Sequence, residues 1–358
     1  MIPSEIPLNR NPRRLLQCST ASGATGLAAL AVSLLSCEPH PRTAAEATLE
    51  TELPILLQLG ARDTPSQEVF GRIEDVTIDV RGRLFLLDSR PPSMHVFEVN
   101  GEHLFSWDSR GKGPGEFTAP TQVAVNEEGA VVVADRVRLV LMVFEENEGR
   151  LTHRRDIRIP GVPLDLCLLG GLAIVPSSTA EAIFLVDLQS DQIEVVPFPF
   201  ETNPLARGSF SLGDLVCPTR TSLGAWNRLF TGAVTFLGPN GHPVEQRVLP
   251  NFRPIDTFTV GNRFSQRPPA GGFSVANLPG RLSETELVLQ VTHLPRGGEK
   301  PGRRVDPLTF LLTLDSIVGP FAGIPRLSFV RPPFAVSVKN DSVPTVTIFA
   351  LDGGFAFR

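Results

Sequence analysis

The sequence predicts an all-β fold, a six-bladed β-propeller of four-stranded antiparallel blades. The first observation is a repeat, in which Glu74–Gly101 and Thr121–Gly149 match each other at an offset of 47 residues. Apolar, turn and acidic positions keep their spacing in both copies, so that Asp88 matches Asp135. The second observation is that each copy consists of strand-length segments separated by tight turns, in a chain with 31 Gly and 33 Pro. A repeat of about 40–50 residues built of short strands is typical of a propeller blade.

Four predicted strands make up the first copy. They are Val76–Val80, Leu84–Leu87, Met94–Glu98 and His103–Trp107. The first of them alternates apolar and polar residues, and Asn100-Gly101 is a strong signal for a hairpin turn. Four strands joined in this way form one blade, and the second copy repeats the pattern.

Weaker copies of the pattern continue towards the C-terminus. Leu164–Val175 is predicted to be a strand, a Gly-Gly turn and a second strand. The other strand-length segments are Ile183–Val186, Ile193–Val196, Leu215-Val216, Arg228–Leu237, Glu245–Leu249, Phe273–Ala276, Glu286–Thr292, Thr309–Thr313, Phe334–Val338 and Thr345–Phe349. The stretch 51–358, which we take as the propeller domain, has room for roughly six or seven repeats of this length. With some long loops, six blades are expected.

Ring closure is expected to involve Pro54–Leu59, an apolar strand that precedes the first repeat. The last blade is short, because the chain ends soon after the turn at 352–354. An open propeller would leave two unpaired sheet edges. We therefore expect Pro54–Leu59 to pair with a strand near the C-terminus as the outer strand of the last blade.

The N-terminus predicts export. Residues 1–36 are expected to be a lipoprotein signal peptide and residues 37–50 a tether. The apolar run Gly26–Leu35 follows a basic segment and is too short to span a bilayer, which takes about 20 apolar residues. Leu-Leu-Ser before Cys37 resembles the bacterial lipobox, whose cysteine thiol carries the lipid. The alternatives are an ordinary signal peptide and, more weakly, twin-arginine export through Arg13-Arg14. The expected location is the cell envelope, membrane-anchored, in the periplasm or on the outer surface.

Two cysteines remain in the exported domain, Cys167 and Cys217. Because export leads to an oxidising compartment, they are a possible disulfide pair. Cys167 lies in an apolar run, so a buried free thiol is the alternative. The sequence does not decide whether their Cβ atoms meet.

A glycine-rich loop with a lysine, Gly111–Phe117, stands between the first two repeats. Lys112 and Glu116 are its candidate contact residues. The loop does not match a phosphate-binding P-loop, because no Gly-Lys-Ser/Thr opens a helix and Pro114 interrupts the run. The alternative is a tight connection between blades that needs positive φ at several glycines.

Asp88 and Asp135 each end the second strand of a repeat. On the rim of the ring they are candidate ligand contacts. The alternative is that their carboxylates accept hydrogen bonds from backbone N–H groups in the following turn.

The loop and its flanking strands resemble the NHL-type repeat of six-bladed propellers, especially the exported propeller lipoproteins of bacteria. That pattern runs strand, Asp-x-x-Gly, apolar strand ending in Asp, then a strand ending in a Phe-x-x-x-Gly turn. Here it is met by Asp79–Gly82, Leu84–Asp88 and Phe97–Gly101, and in the second copy Asn126 replaces the first Asp. The resemblance is specific over about residues 70–150. Some members are metal-dependent lyases with histidines in the channel, but the six histidines here are scattered and lack metal-ligand spacing.

The expected function is a binding or scaffold module for a protein, peptide or glycan partner, attached to the membrane through its N-terminal lipid. No residue set typical of a catalytic or metal site is recognisable. The alternatives are a propeller-type lyase or hydrolase with a site in the central channel, and a structural component of an envelope complex. No cofactor is expected, although backbone carbonyls and single carboxylates could hold a hard cation such as calcium. The net charge of −5 gives no basic surplus for nucleic acid.

Overall fold

The structure is a computed structural model that describes residues 49–50, 53–60, 70–147, 150–177, 179–198, 213–219, 221–261, 263–295 and 306–351. These ranges contain strands and turns, and Glu46–Arg358 is one compact unit. Across the same ranges, no helix is long and apolar enough to cross a membrane. The expected signal peptide and the lipidation residue Cys37 lie outside the described residues.

Two short strands, β1 (Leu49–Glu50) and β2 (Ile55–Leu59), precede three separate four-stranded antiparallel sheets. Blade 1 consists of β3 (Ile73–Ile78), β4 (Leu84–Ser89), β5 (Pro92–Phe97) and β6 (His103–Trp107). Blade 2 consists of β7 (Pro120–Val125), β8 (Ala130–Asp135), β9 (Val140–Asn147) and β10 (Arg150–Arg158). Blade 3 consists of β11 (Cys167–Leu169), β12 (Leu172–Ser177), β13 (Ala182–Asp187) and β14 (Ile193–Pro197).

Three further blades follow, and together the six blades confirm the predicted fold. Blade 4 consists of β15 (Leu215–Val216), β16 (Gly224–Asn227), β17 (Ala233–Leu237) and β18 (Pro243–Val248). A separate hairpin, β19 (Asp256–Val260) and β20 (Arg263–Arg267), comes next. Blade 5 consists of β21 (Phe273–Arg281), β22 (Leu287–Leu294), β23 (Leu308–Leu312) and β24 (Ile317–Ala322). Blade 6 contributes β25 (Phe329–Arg331), β26 (Phe334–Lys339) and β27 (Thr345–Ala350).

One strand expected from the sequence is wrong in its bounds. The segment Arg228–Leu237 is not a single strand, because a turn separates β16 from β17. In that turn Gly232 has a φ of +64°, and the Arg228 N–H donates to the Ala233 carbonyl at 2.8 Å.

Strand β2 closes the ring. It pairs antiparallel with β27, with Ile55 opposite Phe349 and Leu59 opposite Val346, and so becomes the fourth strand of blade 6. The prediction that Pro54–Leu59 pairs near the C-terminus is therefore confirmed. The expected tether over 37–50 ends in β1, which adds to the outer edge of blade 5 by parallel pairing with β24.

Six hydrophobic clusters hold the blades together, one at each seam between neighbours. The seam between blades 1 and 2, for example, packs Phe85 and Leu87 against Val131 and Phe144, all of them fully buried. Each blade is a thin sheet that is apolar on both faces, as in β4, where five of six residues are buried. A blade cannot bury both faces alone, so its stability depends on its neighbours.

The ring has two distinct faces. The strands alternate in direction within a blade, and the inner strands of blades 5 and 6 run parallel, with Gly280 opposite Val330. We call the face where the inner strands begin the N-face and the face where they end the C-face. Connections between blades, and turns between second and third strands, lie on the N-face. The remaining turns lie on the C-face. The hairpin β19–β20 pairs only with itself among the described strands and belongs to the connection from β18 to β21, which starts and ends at the N-face.

Candidate functional site

The inner strands surround a central channel of about 1730 Å³. Among its polar lining residues are five at corresponding positions, one from each of blades 1–5, and each directly precedes a buried aliphatic residue. We call them the latch residues: Asp75, Gln122, Asp165, Asp214 and Asn277.

The latch residues join each inner strand to the next blade. The hydrogen bonds are Val123 N–H to Asp75 (2.8 Å), Gln122 Nε2 to the Leu164 carbonyl (2.9 Å), Leu215 N–H to Asp165 (2.5 Å), Leu278 N–H to Asp214 (2.9 Å) and Asn277 Nδ2 to the Leu327 carbonyl (3.1 Å). The seam between blades 6 and 1 differs, because there Asn340 exchanges two hydrogen bonds with the backbone of Ile73, at 3.0 and 2.7 Å. Polar side chains thus bridge all six seams.

The three latch carboxyls are electrostatically coupled. Burial raises the pKa of Asp75 to about 7, although hydrogen bonds from two backbone N–H groups oppose the rise and the charges of Asp214 and Glu74 add to it. Burial also raises the pKa of Asp165 well above its usual range, and the charges of Asp75 and Asp214 raise it further. The pKa of Asp214 is likewise raised by burial. Asp75 thus has a pKa near neutral pH, where a carboxyl can act as an acid or a base.

Reasoning from the sequence missed the latch residues, although a signal for them exists. Asp75-Val76, Gln122-Val123, Asp165-Leu166, Asp214-Leu215 and Asn277-Leu278 are all polar–aliphatic dipeptides at the inner strand of a blade. Three different residue types occupy the polar position, which hides the repeat from a search for identical residues.

A disulfide joins Cys167 of blade 3 to Cys217, which directly follows β15 in blade 4. Their Cα atoms lie 5.4 Å apart, and both residues line the channel. The Cys217 carbonyl also accepts a 2.7 Å hydrogen bond from the Arg281 guanidinium of blade 5. The expected pair thus becomes a covalent bridge across one seam.

Asp88 and Asp135 are buried, with 2% and 0% of their surface exposed. Asp88 accepts hydrogen bonds from the N–H groups of Gly71, Arg72 and Arg90. Asp135 accepts them from the backbone N–H groups of Thr118, Ala119, Val137 and Arg138. Both carboxylates thus join the following turn to the connection that precedes the inner strand. This agrees with the alternative in which they accept hydrogen bonds from backbone N–H groups and do not contact a ligand.

The loop Gly111–Phe117 packs as a connection between blades. Phe117 is 1% exposed in the seam between blades 1 and 2, and Trp107 Nε1 donates to the Gly115 carbonyl at 2.9 Å. Gly115 has a φ of +71°, and a Cβ there would lie 2.7 Å from the His153 ring. Glu116 accepts a 2.8 Å hydrogen bond from the Gly113 N–H, whereas Lys112 is exposed. Lys112 thus remains accessible to a partner.

A buried ion-pair network explains the Asp-x-x-Gly motif. Arg83 contacts Asp79 at 2.8 Å and Glu146 of blade 2 at 2.6 Å, so the turn is joined to the next blade. The hydrogen bond from Arg83 lowers the pKa of Glu146. In the second copy, Asn126 accepts from the Ala130 N–H and donates to the Gly170 carbonyl of blade 3 at 3.0 Å. Asp and Asn therefore serve the same purpose with different partners.

None of the described histidines lines the central channel. His95 and His103 both contact the Ser106 hydroxyl on the outer half of blade 1, and His153 contacts Asp156 in blade 2. Within the described ranges, no group of three or more His, Cys, Asp or Glu side chains is placed to hold a metal ion.

Exposed charges are distributed unequally between the two faces. In the described turns and connections of the N-face, the exposed cations are Arg72, Arg90, Arg110, Lys112, Arg136, Arg253, Arg267 and Arg326, and the exposed acids are Asp108, Asp256, Asp306 and Asp341. In the described turns of the C-face, the exposed acids are Glu102, Glu127, Glu128, Asp191, Glu284 and Asp315, and the exposed cation is Arg81. The ring is therefore basic on the N-face and acidic on the C-face, although the whole chain carries a net charge of −5.

A family model described as a 6-bladed beta-propeller matches residues 61–167, which include blades 1 and 2 and the start of β11. This range contains the repeat that is clearest in the sequence. None of the curated proteins matches the chain.

Solved structures show the same architecture. A Bacteroides fragilis NCTC 9343 protein, named as exported on inference, is 11% identical with a TM-score of 0.54, over 87% of this chain and 97% of that one. Virginiamycin B lyase from Staphylococcus aureus is 9% identical with a TM-score of 0.50, over 82% and 98%. BamB from Moraxella catarrhalis is 12% identical with a TM-score of 0.46, over 83% and 99%. At these identities the first two likenesses concern the fold alone, and nothing is concluded from the third. The chain is a six-bladed β-propeller.

Proposed function

We propose that the protein is an exported, lipid-anchored propeller that acts as a binding module and presents its C-face to a protein, peptide or glycan partner. The observation that carries this proposal is the acidic C-face on a closed ring. Six exposed carboxylates against one exposed cation in its described turns favour a partner with basic groups. Because bonded seams hold the ring together, these charges are presented with little loss of conformational freedom on binding.

Anchoring is tested by Cys37→Ala, with Cys18→Ala as the matched control in the same N-terminal segment. The alanine at 37 is expected to release the protein from the membrane fraction, since each buried acyl CH₂ contributes about 0.8 kcal/mol to membrane binding. The alanine at 18 is expected to leave it bound. If the Cys37→Ala protein still sediments with membranes after a high-salt wash, the lipid anchor is wrong.

Binding is tested by cross-linking in intact envelopes with a C-face variant, Glu127→Gln/Glu128→Gln, and a charge-matched control on the outer strands β14 and β18, Glu194→Gln/Glu245→Gln. A partner that is captured by wild type and by the control but lost from the C-face variant supports the proposal. Equal capture by both variants rejects the C-face as the binding surface.

A lyase or hydrolase with a site in the channel is the second candidate function. The observation that favours it is the raised pKa of Asp75, about 7, since acid–base residues are often tuned in this way. A hard cation such as calcium would find carboxylate oxygens there as well. Turnover that disappears in Asp75→Asn and persists in Glu127→Gln/Glu128→Gln would favour the enzyme over the binding module.

A further inference from the structure

The N-face combines positive charge with exposed apolar side chains. Val137, in the turn between β8 and β9, is 60% exposed and lies beside the exposed Arg136. In the hairpin β19–β20, Phe258 is 40% and Val260 is 62% exposed. Exposure of these apolar side chains to water is unfavourable. They lie on the face that also carries a surplus of cations in its described turns.

One face of the hairpin carries its exposed apolar residues. Phe258 and Val260 are two residues apart on β19, so they share one face of the hairpin. In the antiparallel pairing of the two strands, Ser265 lies opposite Phe258 and Arg263 opposite Val260. Arg267 lies opposite Asp256. The Arg267 guanidinium lies 5.6 Å from the centre of the Phe258 ring. One face of the hairpin therefore carries two exposed apolar side chains, with the Arg267 guanidinium over one of them and Asp256 paired with that arginine's strand position.

This combination suits an anionic lipid surface better than a soluble polyanion. Arginines near a bilayer are attracted by its negative surface potential, and aromatic and aliphatic groups gain by entering the boundary between headgroups and acyl chains. A polysaccharide or nucleic acid would satisfy the arginines but would leave Val137 and Val260 in water. In its described turns the opposite face also has two exposed apolar residues, but acids outnumber cations around them: Val80 lies with Arg81 and with the carboxylates of Glu127 and Glu128, and Leu314 precedes Asp315.

We propose that the N-face is a second membrane contact, which docks the ring on anionic lipid through its arginines and the apolar tips at Val137 and β19–β20. The proposal deepens the proposed function, because it orients the acidic C-face away from the membrane and towards a partner. It does not depend on the lipid anchor. The contact is reversible and sensitive to salt, since screening weakens its electrostatic part.

The experiment places an environment-sensitive fluorophore on the full-length chain, at Val137→Cys on the N-face or at Val80→Cys on the C-face. Val80 is the matched control, an exposed valine in a turn of the other face, 53% exposed. The probes are vesicles of phosphatidylcholine alone and of phosphatidylcholine mixed with phosphatidylglycerol, some of them with brominated acyl chains.

The expected result is a blue shift and bromine quenching at position 137 on the anionic vesicles, both reversed by high salt, with neither at position 80. Lys112→Gln/Arg136→Gln in the Val137→Cys background should raise the vesicle concentration that gives the half-maximal response about tenfold or more. Equal responses at both positions, or the same response on neutral vesicles, would overturn the proposal. A soluble polyphosphate that binds as strongly, with no dependence on Val260→Ser, would overturn it in favour of a polyanion. A failure of anchoring is distinguishable, because Cys37→Ala changes membrane attachment without changing which position is quenched.

Discussion

The closing strand β2 offers a sharp test of the ring, because two leucines on it have opposite environments. Leu59 is 1% exposed and packs in the seam between blades 6 and 1, in a cluster with Phe70, Val346 and Ile348. Leu56 lies three residues earlier on the same strand and is 51% exposed. Leu59→Ala and Leu56→Ala delete the same atoms from the same strand, so the difference between them reports burial.

The expected magnitude follows from the two exposures. A fully buried Leu→Ala change costs about 2–5 kcal/mol, since the transfer free energy is lost and a cavity remains. An exposed surface substitution stays within about 0.5 kcal/mol. Leu59→Ala should therefore lower the free energy of unfolding by at least about 2 kcal/mol more than Leu56→Ala. The loss should be felt across the ring, because β2 joins residues near both ends of the domain.

The assay is urea-induced unfolding of the full-length chain, followed by tryptophan fluorescence and by far-UV circular dichroism. The measured quantity is the difference in transition midpoint between each variant and wild type. Equal shifts for the two variants would refute the closure that the structure shows. A larger shift for Leu56→Ala would mean that the register of β2 is displaced.

Three further predictions concern the seams and turns. The pKa of Asp75 is about 7 in the ring against an ordinary 3.8, so the folded state binds this proton more tightly than the unfolded chain does. Its contribution to stability is therefore complete below about pH 4 and is lost as the pH rises through about 7, and Asp75→Asn should flatten the dependence of the urea midpoint on pH between these values. Reduction of Cys167–Cys217, a bridge across 50 residues, should cost about 2–4 kcal/mol, measured as the shift in midpoint with and without dithiothreitol; no shift would contradict a bridge that stabilises the ring. Asp135→Ala should cost about 3 kcal/mol or more, because four backbone N–H groups lose their acceptor in a site that is 0% exposed. The exposed Asp187→Ala, whose carboxylate accepts from Gln189 and Ser190, should cost less than about 1 kcal/mol, and thermal unfolding that ranks the two variants in the opposite order would reject this account.

Much of the fold could be predicted because a blade is a local object. The strands of blade 1 can be located from alternation and from turn residues such as Asn100-Gly101, and the structure forms them within two or three residues of the expected bounds. The error at Arg228–Leu237 has a local cause as well. The turn there is built around Gly232 and Arg228 within an otherwise apolar run, so hydrophobicity gives no sign of an interruption.

The candidate site was harder to predict, because it is made of residues from different blades. Asp88 and Asp135 stand out in the repeat, yet they are buried and hold turns. Asp75, Asp165 and Asp214 do not stand out, because their common position is shared with Gln122 and Asn277. Their raised pKa values depend on the distances between blades, which no local pattern contains. The difference in charge between the two faces is hidden for the same reason. Turns of the N-face and of the C-face follow one another along the chain, so cations and acids are mixed in the sequence.

The sequence by itself determined the blade architecture, the six-fold count and the need for a closing strand, because these follow from a repeat period and from the cost of unpaired sheet edges. Tertiary structure alone decided which residues meet across the seams: the latch residues with the next blade, Cys167 with Cys217, and Arg83 with Glu146. It also decided that the N-face is basic and the C-face acidic. The physical reason is the separation along the chain over which each interaction acts. Backbone and turn preferences act over a few residues, whereas burial, coupling between carboxyls and surface charge depend on distances set only when the ring closes.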